Sequence, residues 1–198
     1  GSIVEMNGDW YIFYHRHTNG TWFSRQGCAE KLPIREDGLF GQAELTSCGL
    51  NGGPLAGEGY YPSCIACHLF TDRPVIYVGD SDKPEYVNGS FPKIVKEGWD
   101  GDQNEGYITN MYDQCTAGFR YFDLSHVSEI TLTIRGYAYG SMEIRTSFEG
   151  SAVKTIPLHY SNIWRDIKTE IKLPEGADSL YFTYRGPGSA SFKGFTLK

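Results

Sequence analysis

The sequence predicts an all-β chain built around an antiparallel sandwich, and three observations lead there. Apolar and polar residues alternate in short segments, strictly in 130–134 (ITLTI) and 142–145, and less regularly in 164–171 (WRDIKTEI) and 180–184 (LYFTY). A period of two places successive side chains on opposite faces of a strand, one buried and one wet. Turn residues punctuate these segments at short, even spacing, with Gly140, Gly150, Pro174-Glu175-Gly176 and Gly186-Pro187-Gly188 between them. That rhythm is the signature of a sandwich. Aromatic residues make up 15% of the chain and glycines number 24, a pairing that suits strands joined by tight turns. No amphipathic helix is legible.

The first 57 residues read as a smaller unit of four short strands. Residues 9–15 (DWYIFYH) form an aromatic strand after an Asn7-Gly8 turn, and Asn19-Gly20 leads into 21–24. A hairpin then pairs 28–34 with 42–48 around Asp37-Gly38. One blade-like sheet of about 50 residues buries too little to stand alone. It is therefore expected to dock on the sandwich, to swap between copies, or to bind a companion fragment. Residues 58–73 are read as a connector that continues the glycine-rich LNGGPLAGEG stretch, with one further strand at 63–70. The sandwich is expected over 74–198.

Composition removes several classes of function. A length of 198 residues allows one or two domains. The net charge of −6 argues against a nucleic-acid partner, which would demand a basic face. No apolar run approaches the length of a membrane span, and no charged-then-apolar leader is expected at the start. Five cysteines leave at least one thiol unpaired within the chain, while Cys28 and Cys48 flank the expected hairpin, where a disulfide is open. Cys64-Ile-Ala-Cys67-His68 matches a c-type haem pattern literally. On a strand, however, Cys64 and Cys67 face opposite sides, so they read as two small buried residues. Zinc would need a second ligand pair. His15 and His17 share a strand face without a third ligand nearby and read as polar rim. No catalytic residue and no cofactor are assigned.

Trp99, Tyr107 and Trp164 stand out because each sits among Gly, Asn, Asp or Glu rather than in an apolar run. Exposed aromatic rings stack on the C–H faces of sugars while polar neighbours bond the hydroxyls. Plain packing is the competing reading.

Residues 1 to about 70 resemble the last blade of glycoside hydrolase family 43. The carriers are GSIVEMNGDWYIFYHRHTNG, SRQGCAEKL and ELTSCGLNGGPL. The resemblance implies an incomplete blade of a five-bladed β-propeller, from a family that cuts xylosides and arabinosides with inversion. That family's metal-associated His, general base, general acid and pKa-modulating carboxylate match nothing in this sequence. Arg25 is similar in placement to an arginine that reaches the substrate pocket. Residues from about 74 onward resemble a family 6 carbohydrate-binding module. The carriers are GYITNMYDQCTAGFRYFDL, ITLTIRGYAYGSMEIRTSF, NIWRDIKTEI and SLYFTYRGPGSASFKGFTL. That implies a jelly-roll-like sandwich whose end cleft holds a sugar between Tyr107 and Trp164. Ser191 takes the place of the module's cleft Asn, and Lys193 the place of an Asp that helps to hold a structural calcium. A cation there argues against the metal.

The resemblance thus implies a secreted, extracellular or periplasmic portion of a plant-polysaccharide hydrolase. Xylan-type chains would be its ligand, and the missing blades a partner on another chain or a swapped copy. A bracing sandwich that binds no sugar is the alternative. Inverting hydrolysis requires both an acid and a base carboxyl group. The purified 198-residue chain should release no pentose from aryl xylosides or arabinosides above a buffer blank. Turnover that persists through repurification would overturn this.

Overall fold

The structure, a computed structural model, describes residues 1–18, 25–72, 91–97 and 105–198. The expected strand at 21–24, the Asn19-Gly20 turn and Trp99 lie outside the described residues. The all-β expectation holds: among the described residues the only helical elements are two short 3-10 turns, at Gly49–Asn51 and Ser63–Ile65.

Three strands, β1 (Ser2–Met6), β2 (Asp9–His17) and β3 (Arg25–Lys31), form an antiparallel sheet in that order. The expected hairpin partner at 42–48 is not a strand. The chain makes one isolated bridge, Ile34 to Phe40, and then runs irregularly, because its polar groups are spent on other partners. The buried Glu30 carboxylate accepts from the Thr46 N–H (2.9 Å), the Thr46 hydroxyl (2.6 Å) and the Tyr14 hydroxyl (3.2 Å). Charge-assisted bonds of this kind hold the 42–48 segment in place of a ladder.

Two sheets make the sandwich. One is five-stranded and runs β11 (Lys154–Pro157), β10 (Ser141–Arg145), β13 (Ser179–Arg185), β8 (Thr116–Arg120) and β5 (His68–Phe70). The other runs β12 (Ser161–Glu170), β9 (Glu129–Gly136), β14 (Ala190–Leu197), β7 (Tyr107–Met111) and β6 (Lys93–Val95), with β4 (Gly59–Pro62) also paired to β14. Residues 58–73 are therefore more than a connector: they lend one strand to each sheet. The 63–70 segment is strand only from His68 onward, and its first half is the 3-10 turn.

Phe119 and Phe182 on one sheet meet Phe192 and Phe195 on the other, all four fully buried. Ring centroids lie 5.0 Å apart for Phe119–Phe195 and for Phe182–Phe192. Phe192 and Phe195 are three residues apart and would face opposite sides of a regular strand. A register shift between Phe192 and Gly194 inserts an extra residue and turns both rings inward. Gly194 is required at this bulge, since a Cβ there would come within 2.4 Å of the Tyr61 carbonyl oxygen.

The N-terminal sheet docks on the sandwich. Arg16 donates to the Cys67 carbonyl at 2.6 Å and to that of Ala66, and Gln26 donates to the Cys64 carbonyl at 3.2 Å. Farther along, Arg120 donates to Leu45 O (2.7 Å), and Leu55 pairs in parallel with Phe122. A cavity of about 190 Å³, lined by Arg16, Cys28 and Cys64 among others, remains at this seam.

None of the five cysteines forms a disulfide, so the open Cys28–Cys48 bridge is not made. Cys28 stays on β3, while buried Cys48 turns into the sandwich core, its Sγ 3.6 Å from the Tyr121 carbonyl oxygen. Burial pushes the Cys64 and Cys67 thiols up, which keeps them protonated and unreactive.

Because Arg16 holds two carbonyls across the seam, Arg16→Ala should loosen the docking. A cost of about 1–3 kcal/mol is expected for leaving partners unsatisfied. Faster amide exchange confined to 1–18 and 63–67, with the β8–β13 pairing unchanged, is the readout; unaltered exchange would refute it.

Candidate carbohydrate-contact site

The site lies on the outer face of the six-stranded sheet, and strand phase builds it. On β9 the residues Ile130, Leu132 and Ile134 are buried, which leaves Thr131, Thr133 and Arg135 pointing outward. On β14 the outward residues are Ser191, Lys193 and Thr196. Tyr107 and Thr109 take the same phase on β7. Trp164 comes from an irregular stretch of β12, where the pairing jumps from Ser161–Gly136 to Arg165–Ile134. Between those pairs Asn162, Ile163 and Trp164 of β12 face Arg135 alone on β9.

Tyr107 and Trp164 meet, but not as two parallel plates. Their ring centroids are 5.2 Å apart and their planes stand at 81°. This edge-to-face arrangement is the one that ring quadrupoles favour. The sandwich geometry implied by the family resemblance is absent in this state, and Arg135 supplies the reason. Its guanidinium carbon sits 4.2 Å from the Trp164 ring centroid, and its Nη2 donates to the Tyr107 hydroxyl at 3.1 Å. Arg135 also pairs with Glu97. Burial works against the Arg135 charge, but the bonds to Glu97 and Tyr107 outweigh it and raise its pKa. The cation therefore persists on the tryptophan face.

Ser191 lies in the same cluster. Its hydroxyl is 2.9 Å from that of Thr109, and it sits opposite Arg135 in the β14–β9 register. The shorter side chain in place of an amide is thus engaged with a neighbouring strand. Lys193 extends its ammonium toward Trp164, 5.8 Å from the ring centroid. Among the described residues no group of three or more His, Cys, Asp or Glu is arranged to hold a metal ion. With a cation at 193, these residues do not fit a calcium ion. Tyr60 on β4 borders the cluster and donates to the Lys193 carbonyl at 3.3 Å. Burial, then the charges of Glu105, Cys64 and Asp166, push its hydroxyl up to about 12.

Arg25 opens β3 in the N-terminal sheet, and its side chain is outside what the structure describes. Sequence reasoning passed over Arg135 and Thr109. A signal for Arg135 existed, since it continues the outward phase of ITLTIR at the end of an alternating strand.

No family model matches the chain. A xylosidase/arabinosidase of Thermoclostridium stercorarium is 52% identical over 197 residues, covering 100% of this chain and 41% of that protein. The chain thus spans less than half the length of this relative. A glycoside hydrolase family 43 arabinoxylan arabinofuranohydrolase from Bacillus subtilis, solved with cellotetraose, superposes with a TM-score of 0.60. That match has 15% identity and covers 99% of this chain and 40% of that one. A family 6 carbohydrate-binding module from Clostridium stercorarium, solved with cellobiose, gives 0.55 at 11% identity over 74% of this chain and 98% of its own. The chain resembles part of a family 43 glycoside hydrolase carrying a family 6 module. A β-1,3-glucan-binding family 6 module from Bacillus halodurans repeats the sandwich match, with a TM-score of 0.54, 13% identity, and coverage of 74% and 99%. At such identities the likeness to these solved structures establishes the fold alone.

The Arg135 clasp is testable without any ligand. Removing the guanidinium uncovers one face of Trp164, a contact of about 0.5–1 kcal/mol at a partly exposed site. Arg135→Ala should therefore raise quenching of intrinsic fluorescence by acrylamide, and the rise should vanish when Trp164 is replaced by Phe as well. Equal quenching in wild type and Arg135→Ala would contradict the clasp.

Proposed function

We propose that this chain is the carbohydrate-binding portion of a secreted hydrolase of plant polysaccharides, with xylan or arabinan chains as its ligands. The observation that carries the reading is the convergence of Tyr107, Trp164, Ser191 and Thr109 on one outer sheet face. The 52% identity with a xylosidase/arabinosidase over the whole chain points to the same substrate class. Sugar C–H faces are apolar while hydroxyls ring the edge, so an indole face beside hydroxyl side chains suits them. A sugar that stacks on Trp164 either displaces the Arg135 guanidinium or takes the opposite face of the ring. In the first case Arg135 donates to the sugar's hydroxyls, while the Tyr107 hydroxyl donates to them or accepts from them.

A second reading has its own support. Arg16, Arg120 and the Leu55–Phe122 bridge fasten the N-terminal sheet to the sandwich. Ile3 and Val4 on β1 remain exposed at 45% and 40%. A sheet fixed on one side and open on the other is suited to carrying further propeller blades, so the sandwich would brace an enzyme as well as bind glycan. Missing blades on another chain, or on a swapped copy, would then complete a β-xylosidase or arabinofuranosidase, and Arg25 would belong to that pocket.

With one indole, one tyrosine and short hydroxyls for contact, affinity for xylo-oligosaccharides should fall near ~0.1–1 mM, about −5.5 to −4 kcal/mol. Trp164→Ala should weaken binding about five- to thirtyfold, with the melting transition unchanged, as expected for losing about 1–2 kcal/mol of apolar contact. Calorimetry with xylo-oligosaccharides reads this directly. Binding that survives the Trp164→Ala/Tyr107→Ala double variant would move the site elsewhere, and no binding to any β-glycan would leave the bracing role alone.

A further inference from the structure

Beyond Trp164, around the same end of the sandwich, the two most exposed large hydrophobic side chains among the described residues are Tyr137 (67%) and Tyr139 (60%). Tyr160 joins them across the gap from the start of β12. Its ring centroid is 5.0 Å from that of Tyr137, and its plane lies within 12° of Tyr139 at 6.4 Å. Ile163, also exposed, continues the patch toward Trp164. Ser161, the residue after Tyr160, pairs with Gly136, the residue before Tyr137, so the three rings stand where β9 ends and β12 begins.

The backbone beneath these rings is fixed. Ala138 is buried and bridges to Gly188, which leaves its two neighbours pointing outward. Tyr139 N–H donates to the Tyr184 hydroxyl at 3.2 Å, and that hydroxyl donates in turn to Pro187 O at 2.5 Å. Ser189 N–H donates to Tyr137 O at 3.1 Å, and Leu158 N–H to Gly140 O at 2.8 Å. Gly188 is forced by this closeness, since a Cβ there would lie 1.7 Å from Tyr137 O. Large aromatic rings held in water by a rigid support lose little entropy when a ligand covers them.

We infer that Tyr137, Tyr139 and Tyr160 form a second aromatic platform, which receives an uncharged β-linked polysaccharide chain running past the Trp164 site. The inference rests on the carbohydrate-binding reading and extends it from one sugar contact to a polymer track. Chemistry favours glycan as the occupant. Segments 136–141 (GYAYGS) and 158–163 (LHYSNI) contain no Asp, Glu, Lys or Arg, in a chain whose net charge is −6. Tyrosine offers a flat apolar face with a hydroxyl at its rim, the same division of surface that a pyranose presents. The platform also adjoins Trp164: Tyr160 immediately precedes β12, and four residue steps to Trp164 span at most about 13 Å at strand spacing. Such a track gains only when the ligand is long enough to touch both places, through effective concentration.

The experiment compares a long ligand with a short one on the 198-residue chain. Soluble xylan is measured by affinity electrophoresis and xylobiose, too short to span both places, by calorimetry. The variants are Tyr137→Ala/Tyr139→Ala/Tyr160→Ala, the corresponding triple Phe variant, and Trp164→Ala. The triple Ala variant should bind xylan about tenfold more weakly while xylobiose affinity stays within about twofold. The triple Phe variant, which keeps the rings, should hold xylan nearly as wild type does. Unchanged xylan binding in the triple Ala variant would overturn the inference, as would equal loss of both ligands or wild type that fails to bind xylan. A wild type that sediments as a dimer and a triple Ala variant that sediments as a monomer would assign the patch to a second copy of the chain and overturn it too. The two readings fail separately. Xylobiose binding that survives Trp164→Ala defeats the Trp164 site, while xylan binding in that variant that disappears once the tyrosines are also removed upholds the platform.

Discussion

The four phenylalanines between the sheets, Phe119, Phe182, Phe192 and Phe195, impose a demand on β14 that a regular strand cannot meet. Two rings three residues apart must both point inward, so the strand carries a bulge between them. The bulge sets the outward phase on either side of itself. It sends Lys193 to the outer face beside Trp164 and leaves Ser191 beside Thr109. Burial of the rings is the favourable term, on the order of 2–3 kcal/mol for each side chain, and the outer face follows from where they must sit. The polar cluster on the surface is thus registered by an apolar cluster beneath it.

The same core fastens the N-terminal sheet. Cys48 and Leu55, which precede the sandwich in sequence, pack into the core beside Phe122 and Phe195's neighbours, and hydrogen bonds from Arg16 and Arg120 close the seam above. The small sheet has no core of its own to match the sandwich and gains stability from being fastened to a larger body. Two parts of different resemblance therefore behave as one folded body, with β4 and β5 of the intervening segment woven into both sandwich sheets.

The resting arrangement around Trp164 is polar as well as aromatic. Arg135 lies on the ring, bonds Tyr107 and pairs with Glu97, so the aromatic surface is already partnered before any ligand arrives. Exchange of one partner for another costs less than exposure of bare indole and favours weak, reversible contact over tight capture. The tyrosines of the neighbouring loops stay uncovered by comparison, which divides this end of the sandwich into a clasped part and an open part.

The sequence by itself determined the all-β class and the sandwich, because a period of two survives in ITLTI and in 142–145 (MEIR) whatever their neighbours do. It also marked Tyr107 and Trp164, since aromatic residues among polar ones are conspicuous in one dimension. It misjudged 42–48 and 58–73, where the outcome hangs on distant partners: Glu30 for the first, β14 and β8 for the second. Tertiary structure alone decided the 81° angle of the Tyr107–Trp164 pair, the Arg135 clasp and the meeting of Tyr137, Tyr139 and Tyr160. Each depends on a register shift or a loop closure, which decides which side chains meet across strands without leaving a local mark in the sequence.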